Sequence, residues 1–279
     1  MMQSSQNNQH TAEKNALFAL HALTMLGDRE EQQDSYGYHL KKREGLVVLC
    51  DGMGGHQGGA KASSLAVRQF LQDYKAWDRE AEEGYSPANL RASALKANEA
   101  ICNLKNEEGR SLRAGTTLVS VFIRERKMFW CSTGDTRAYL MRGKELAQLT
   151  VDHNYGTVLE EKRAAGFISE EDLSSNKKRE EALVSYLGIG ETPLFDENRE
   201  ILFLQEGDIL CLCTDGLYRI LSNEVIKKIL VAFPNMGEAL KAMETEVARS
   251  ARLNSIKRDN MSVVLIKVLE QKNEYCSMQ

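Results

Sequence analysis

Four aspartates stand at the ends of apolar runs, where carboxylates can gather around a hard cation. They are Asp51 after residues 46–50, Asp135 after 128–131, Asp215 after 209–214 and Asp259 before 261–268. Carboxylate and backbone carbonyl oxygens are the ligands that Mg²⁺ and Mn²⁺ prefer. A single strand that ends in Asp-Gly is usually only a turn. Four such positions, far apart in the sequence, can converge into one oxygen-rich metal site, but the periodicity of the runs leaves that open.

Arg29 precedes Asp34 by a few residues in a charged, amide-rich segment. A guanidinium group is planar and always charged, and its fork of donors matches two oxygens of a phosphate. An arginine beside a cluster of carboxylates and metal ions therefore suggests a phosphate ester as the substrate. The alternative is an ordinary surface salt bridge, and the residues alone leave both interpretations open.

Seven short motifs occur in the order that is typical of one enzyme family. They are REEQQD at 29–34, DGMGG at 51–55, GTT at 115–117, GDTRAYL at 134–140, LTVDH at 149–153, GDILCLCTDGL at 207–217 and DN at 259–260. With these motifs the chain resembles the metal-dependent protein phosphatases of the PP2C (PPM) type, bacterial branch. The resemblance spans nearly all of residues 16–269, and it rests on the shared order, since each motif alone is weak.

The resemblance implies a phosphoprotein phosphatase that hydrolyses phosphoserine and phosphothreonine with water activated by two metal ions, Mn²⁺ or Mg²⁺. It implies that Asp51 bridges both ions, that the Gly52 carbonyl adds a ligand, and that Asp215 and Asp259 complete one of the two sites. Asp135, together with Asp215, matches residues that hold a third, weaker metal ion. Two cations that share one carboxylate can lower the pKa of water toward neutrality, so the implied chemistry is consistent.

Two further residues have implied catalytic roles beside that of Asp51. Asp34 lies behind the metal ligands and orients water, and Arg29 holds the phosphate. The implied partners are phosphorylated protein substrates and a cognate serine/threonine kinase, and the chain is expected to be a monomer.

Two departures from the family pattern bear on the metal ions. Gln33 is neutral where the pattern often has a carboxylate, which predicts weaker metal binding there. Arg219 stands where an acid is common. Either it projects toward Asp135 and Asp215, where it opposes a third cation, or it points outward or pairs with a nearby acid such as Glu224.

These departures keep an alternative function open, namely a catalytically impaired phosphatase-fold module with a regulatory or binding role. Retention of Asp51, Asp215 and Asp259 favours the active enzyme. A purely structural metal-binding domain is a weaker interpretation, because it leaves Arg29 unexplained.

The order of the predicted elements indicates the fold class. Helices are predicted at 60–74, 88–104, 222–230 and 236–253, and strands at 16–26, 46–50, 116–123, 128–133, 136–142, 145–149, 201–204, 209–214 and 261–269. Because the helices are segregated rather than alternating with strands, an α+β fold with antiparallel sheets is favoured over a doubly wound parallel sheet. The resemblance implies a four-layer α-β-β-α sandwich of two mainly antiparallel sheets flanked by helix pairs.

The chain is predicted to contain one domain between two tails. Residues 1–14 are assigned to a disordered N-terminal tail, 15–270 to a PP2C-type phosphatase domain and 271–279 to a C-terminal tail. A length of 279 residues suits one large domain. The polar segment at 153–198 resembles the flap beside the active site in this family.

Composition excludes several other classes. A net charge of -4 and a pI of about 5.9 argue against a nucleic-acid surface. No apolar run approaches the roughly 18 residues of a transmembrane helix, so no membrane partner is expected. Four of the 6 cysteines lie in apolar runs, where cysteine acts as a small hydrophobe. That usage fits a reducing compartment, and a cytoplasmic location is expected.

Overall fold

Two antiparallel sheets form the centre of the molecule. The computed structural model describes residues 9–55, 58–77, 87–171 and 179–270. The predicted C-terminal tail, residues 1–8 of the predicted N-terminal tail and residues 172–178 of the predicted flap lie outside the described residues.

The first sheet has six strands. They are β1 (Gln9–Lys14), β2 (Phe18–Met25), β8 (Arg137–Arg142), β9 (Glu145–Gln148), β12 (Ile209–Cys213) and β13 (Met261–Val268). Their order across the sheet is β1-β2-β13-β12-β8-β9, and every neighbouring pair is antiparallel.

The second sheet has seven strands. They are β3 (Asp34–Lys41), β4 (Glu44–Met53), β5 (Gly115–Thr116), β6 (Leu118–Arg124), β7 (Lys127–Thr133), β10 (Asp196–Glu197) and β11 (Leu202–Phe203). The order is β10-β7-β6-β4-β3, with β11 also paired to β7 and β5 paired to the end of β4.

Helices cover the outer faces of both sheets. The described helices are α1 (Gly58–Ala76), α2 (Pro87–Cys102), α3 (Tyr155–Ala164), α4 (Asp215–Tyr218), α5 (Asn223–Ala232) and α6 (Met236–Asn254). None of the helices in these described ranges combines the length and the apolar character that crossing a membrane requires.

Three apolar clusters separate four layers. Phe70 and Leu90 belong to a cluster in which α1 and α2 pack on the seven-stranded sheet. Val121 and Leu212 belong to a second cluster between the two sheets, and Leu240 to a third, where α5 and α6 pack on the six-stranded sheet. The layer order is therefore helix pair, sheet, sheet, helix pair, which confirms the predicted α+β fold and four-layer α-β-β-α sandwich.

The central strands show why their sequences are continuous apolar runs. In β4, Leu46 and Val48 contact the helix layer, whereas Val47 and Leu49 contact the opposite sheet. Because both faces of the strand are covered, each position along it selects an apolar side chain. The runs visible in the sequence thus mark the middle of the sandwich, and the acids that follow them lie at its end.

Two strands correct the predictions made from the sequence. Residues 9–14, predicted to be disordered, form the edge strand β1, which pairs with β2 from Gln9↔Thr24 to Lys14↔Ala19. The prediction was wrong because β1 is polar and largely exposed, so its pairing leaves no apolar pattern. The half-buried strand β3 carries no such pattern either and was not predicted.

Candidate active site

The ends of the central strands meet around a cavity of about 520 Å³. Its lining includes Asp51 and Gly52 from β4, Asp135 after β7, Asp215 at the start of α4, Asp259 before β13 and Arg29 from the β2–β3 loop. The four aspartates that could converge from the sequence are therefore brought together by the fold.

Asp51 is held in place through its backbone. Strand β4 continues to Met53, so Asp51 lies within the strand rather than just after it. The Asp51 amide donates to the Thr117 hydroxyl at 2.9 Å, and the Thr116 hydroxyl donates to the Asp51 carbonyl at 2.8 Å. Both threonines are buried, so the GTT motif anchors the acid at the centre of the cavity.

Gly52 cannot be replaced by a residue with a side chain. A Cβ atom there would lie 2.2 Å from the Gly59 carbonyl oxygen and 2.6 Å from that of Gln33. The Gly52 amide donates to the same Gln33 carbonyl at 3.1 Å. The bare backbone thus lets the start of α1 and the end of the β2–β3 loop close on the strand that carries Asp51.

Asp34 lies behind the cavity rather than on its lining. It is the first residue of β3, directly opposite Asp51 in the strand register, and its residue surface is only 6% exposed. The Thr214 hydroxyl donates to Asp34 Oδ2 at 2.9 Å. A threonine that directly follows β12 of the six-stranded sheet therefore fixes an acid of the seven-stranded sheet.

Arg29 and Asp259 form an ion pair at the mouth of the cavity. The neighbouring Asn260 accepts from the Gln33 amide at 2.8 Å and donates to the Leu26 carbonyl at 2.8 Å. These two bonds attach the β2–β3 loop to the start of β13. They place Arg29 on the cavity while 54% of its side chain stays exposed.

Arg219 points into the site, which decides between the two orientations that the sequence left open. Its guanidinium lies 3.0 Å from Asp215 Oδ2, 3.5 Å from Asp135 Oδ2 and 3.1 Å from Glu181 Oε2. Glu224 is the i,i+3 partner of Lys227 at 3.1 Å instead. The first interpretation, in which Arg219 projects toward Asp135 and Asp215, is the one the structure supports.

Burial raises the pKa values of four aspartates of the site, and neighbouring carboxylates add to that rise. Burial, the largest cause, raises the pKa of Asp34 to about 7 and that of Asp135 to about 6. The pKa values of Asp51 and Asp215 also rise, first through burial and then through neighbouring carboxylates. Arg219 acts in the opposite direction on Asp135 and Asp215. A buried cluster of this kind is stabilised by added positive charge.

Divalent cations fit the residues that are present. Asp34 Oδ1 and Asp215 Oδ1 are buried, and neither has a hydrogen-bond partner among the described residues. A buried carboxylate oxygen without a partner is costly, and oxygen donors of this type are preferred by Mg²⁺ and Mn²⁺. Within the described ranges, no three His, Cys, Asp or Glu side chains stand in a finished metal-holding arrangement. Arg29 and Arg219 hold Asp259 and Asp215 in ion pairs at these positions.

Comparison with known proteins gives the family. The sequence model of the family Protein phosphatase 2C matches residues 26–256. Serine/threonine phosphatase stp of Listeria monocytogenes is 29% identical over 240 residues, which cover 86% of this chain and 91% of the relative. Protein phosphatase PhpP of Streptococcus pneumoniae is 29% identical over 257 residues, which cover 90% and 98%. The chain belongs to the protein phosphatase 2C family, and it is a protein phosphatase.

Solved structures show the same fold. A serine/threonine phosphatase of S. agalactiae is similar with a TM-score of 0.77 at 26% identity, over 91% of this chain and 100% of that one. The catalytic domain of the phosphatase PstP, in complex with two manganese ions, gives a TM-score of 0.70 at 27% identity, over 91% and 99%.

Glu181 is a residue of the site that the sequence did not predict. It lies on the cavity and pairs with Arg219, within the polar segment that resembles the family's flap. Two backbone hydrogen bonds bring this segment to the cavity. The Tyr155 amide donates to the Ala182 carbonyl, and the Val184 amide donates to the His153 carbonyl. In the sequence Glu181 is one acid in a charged run, and no local pattern distinguishes it.

Proposed function

We propose that the chain hydrolyses phosphoserine and phosphothreonine in phosphorylated proteins, with two Mn²⁺ or Mg²⁺ ions in the acid-lined cavity. Asp51 would serve as a ligand of both ions, and the Gly52 carbonyl would add a ligand. Asp215 and Asp259 would complete one of the two sites, and Asp135, together with Asp215, would hold a third, weaker ion. When bound, such cations supply Lewis acidity that activates water and offsets charge on the phosphate. The observation that carries the proposal is the convergence of four aspartates, with a buried unpartnered oxygen on Asp215 and on Asp34 behind them.

The chain's own residues position the reactants. Asp34, fixed by Thr214, offers its unpartnered Oδ1 as an acceptor for the hydrogen of an attacking water. Arg29 donates to the phosphate oxygens. When Asp259 serves as a metal ligand, its ion pair with Arg29 is broken, and the guanidinium is then available to the phosphate. A charged donor aimed at the transferred phosphoryl group stabilises the charge that develops there. The products are inorganic phosphate and the free hydroxyl of the substrate protein, so a serine/threonine kinase is the enzyme that supplies the substrate.

The test is hydrolysis of p-nitrophenyl phosphate and of a phosphothreonine peptide by the purified chain. We expect phosphate release with Mn²⁺ or Mg²⁺, loss of activity in EDTA, and a loss of at least about a hundredfold in Asp51→Asn, because that carboxylate is shared by both ions. Glu145→Gln, on the exposed β8–β9 hairpin, is the matched control and should retain full activity. Full activity in Asp51→Asn would rule out the assigned role. Binding of the phosphopeptide without turnover by the wild type would favour the regulatory module instead.

A further inference from the structure

A groove runs along α6 beside the catalytic cavity. Two cavities of about 840 and 690 Å³ adjoin there, because both are lined by Asp28, Thr245, Ala248 and Arg258. Helix α6 forms one wall, and the β2–β3 loop with the segment before β13 forms the other. We call this surface the α6 groove.

The α6 groove opens on the catalytic cavity through Arg29. This side chain lines both the larger cavity of the groove and the acid-lined cavity. A polypeptide whose phosphorylated residue enters the catalytic cavity therefore passes Arg29 and can continue along α6.

The lining of the α6 groove is basic although the chain as a whole is acidic. Five basic residues face two acidic ones, in a protein whose net charge is -4; the residues are Arg29, Lys241, Arg249, Arg252 and Arg258 against Asp28 and Glu244. A local excess of one sign in a concave surface attracts ligands of the opposite sign.

Two of these cations are available to a ligand. Arg258 is held by Asp28 at 2.6 Å, and Arg249 pairs with Glu246 on its own helix. Lys241 and Arg252 are exposed, and neither has an acidic partner among the described residues. Their ion-pairing capacity is not used within the part of the fold that the structure describes.

We propose that the α6 groove binds an acidic segment of the phosphoprotein substrate, rich in Asp and Glu, that flanks the phosphorylated residue. This inference rests on the proposed phosphatase function and adds a sequence preference to it. Lys241 and Arg252 are separated by about 16 Å along the helix at ~1.5 Å per residue. An extended chain covers that span with about five residues at ~3.3 Å each. The preferred substrate thus carries acidic residues within a stretch of about five residues next to the phosphoserine or phosphothreonine.

The experiment compares phosphothreonine peptides that differ only in a five-residue flank of Glu, Gln or Lys, placed on either side. Each exposed ion pair changes affinity by only a few fold, so we expect wild-type kcat/KM to be on the order of tenfold higher for Glu than for Gln on one side. The preference should shrink in 0.5 M salt, because screening weakens exposed contacts. In the variant Lys241→Glu/Arg252→Glu the preference should disappear, mainly through KM.

Hydrolysis of p-nitrophenyl phosphate, which is too small to reach α6, is measured in the same samples. It should be unchanged in Lys241→Glu/Arg252→Glu. The matched control, Lys144→Glu/Lys228→Glu, makes the same charge change at exposed positions outside the groove and should keep the Glu preference. Equal kcat/KM for the Glu and Gln peptides in the wild type, or a Glu preference that survives in Lys241→Glu/Arg252→Glu, would overturn the groove assignment. Absence of turnover of every substrate by the wild type would instead refute the phosphatase function itself.

Discussion

Arg219 should weaken a third metal site, because it already occupies the two carboxylates that such a site needs. Its guanidinium lies 3.0 Å from Asp215 and 3.5 Å from Asp135, and 36% of its side chain is exposed. A buried charge-assisted contact contributes about 1.5–3 kcal/mol. Because the side chain is partly exposed, solvent screening reduces the contribution of each contact to roughly 1 kcal/mol. A cation that takes both carboxylates displaces both contacts, at a cost of roughly 2 kcal/mol, or about thirtyfold in affinity.

We therefore expect Arg219→Gln to tighten the weak site by on the order of tenfold to thirtyfold. Arg219→Asp should tighten it further, because it also adds an oxygen donor. The assay is calorimetric titration with Mn²⁺, continued beyond saturation of the stronger sites. Asp135→Ala should abolish the weak phase. Arg43→Gln, which breaks an exposed ion pair at the opposite end of β4, is the control and should leave it unchanged. Identical weak-site affinity in wild type and Arg219→Gln would refute the reasoning.

Three further predictions concern the remaining contacts of the site. Arg29→Ala should lower kcat/KM by roughly tenfold to a hundredfold, chiefly through a higher KM, and Arg29→Lys should restore part of the loss. Unchanged kinetics in Arg29→Ala would mean that Arg29 forms only a surface salt bridge. Thr214→Val removes the donor to Asp34 and should lower kcat by about tenfold with little change in KM, while Thr214→Ser retains activity. Without metal, the pKa values of Asp34 and Asp135 in the folded state are raised from the ordinary 3.8 to about 7 and about 6. Both groups therefore stay protonated in the folded state at pH values where they are ionised in the unfolded state. The free energy of unfolding in EDTA should therefore fall as the pH rises from about 4 to 7. Denaturant titrations check this, and stability that rises across that range would contradict it.

Strands that are buried on both faces leave the clearest signal in the sequence. Strands β4, β12 and β13 lie in the middle of the sandwich, so their apolar runs reveal that the strands exist. The runs of β12 and β13 also give the ends of those strands to within one residue, whereas β4 extends beyond its run at both ends. The edge strand β1 and the half-buried β3 are stabilised by backbone pairing and by contacts such as that of Thr11 with Tyr36. Such contacts leave no periodic apolar signal.

The predicted part of the active site follows the same logic. Asp51 follows the apolar run of β4, and Asp215 follows that of β12 and Thr214, so a correct assignment of these runs to strands places both acids at one end of the sandwich. The contact of Glu181 with Arg219 depends on the irregular segment at 179–187. Its position is set by long-range backbone bonds such as those between Thr116 and Leu187, which no local sequence pattern encodes.

The charges of the cavity and of the α6 groove have opposite signs, and both bear on how a phosphoprotein binds. The acid-lined cavity presents five carboxylates, Asp51, Asp135, Glu181, Asp215 and Asp259, against the guanidinium groups of Arg29 and Arg219. An excess of carboxylates repels a phosphate dianion, so we expect added cations to favour substrate binding, in addition to the activation of water proposed above. The α6 groove keeps its positive charge whether or not metal is present. It can therefore attract an acidic substrate first, while Arg29, at the junction of the two surfaces, contacts the phosphate only when Asp259 no longer holds it.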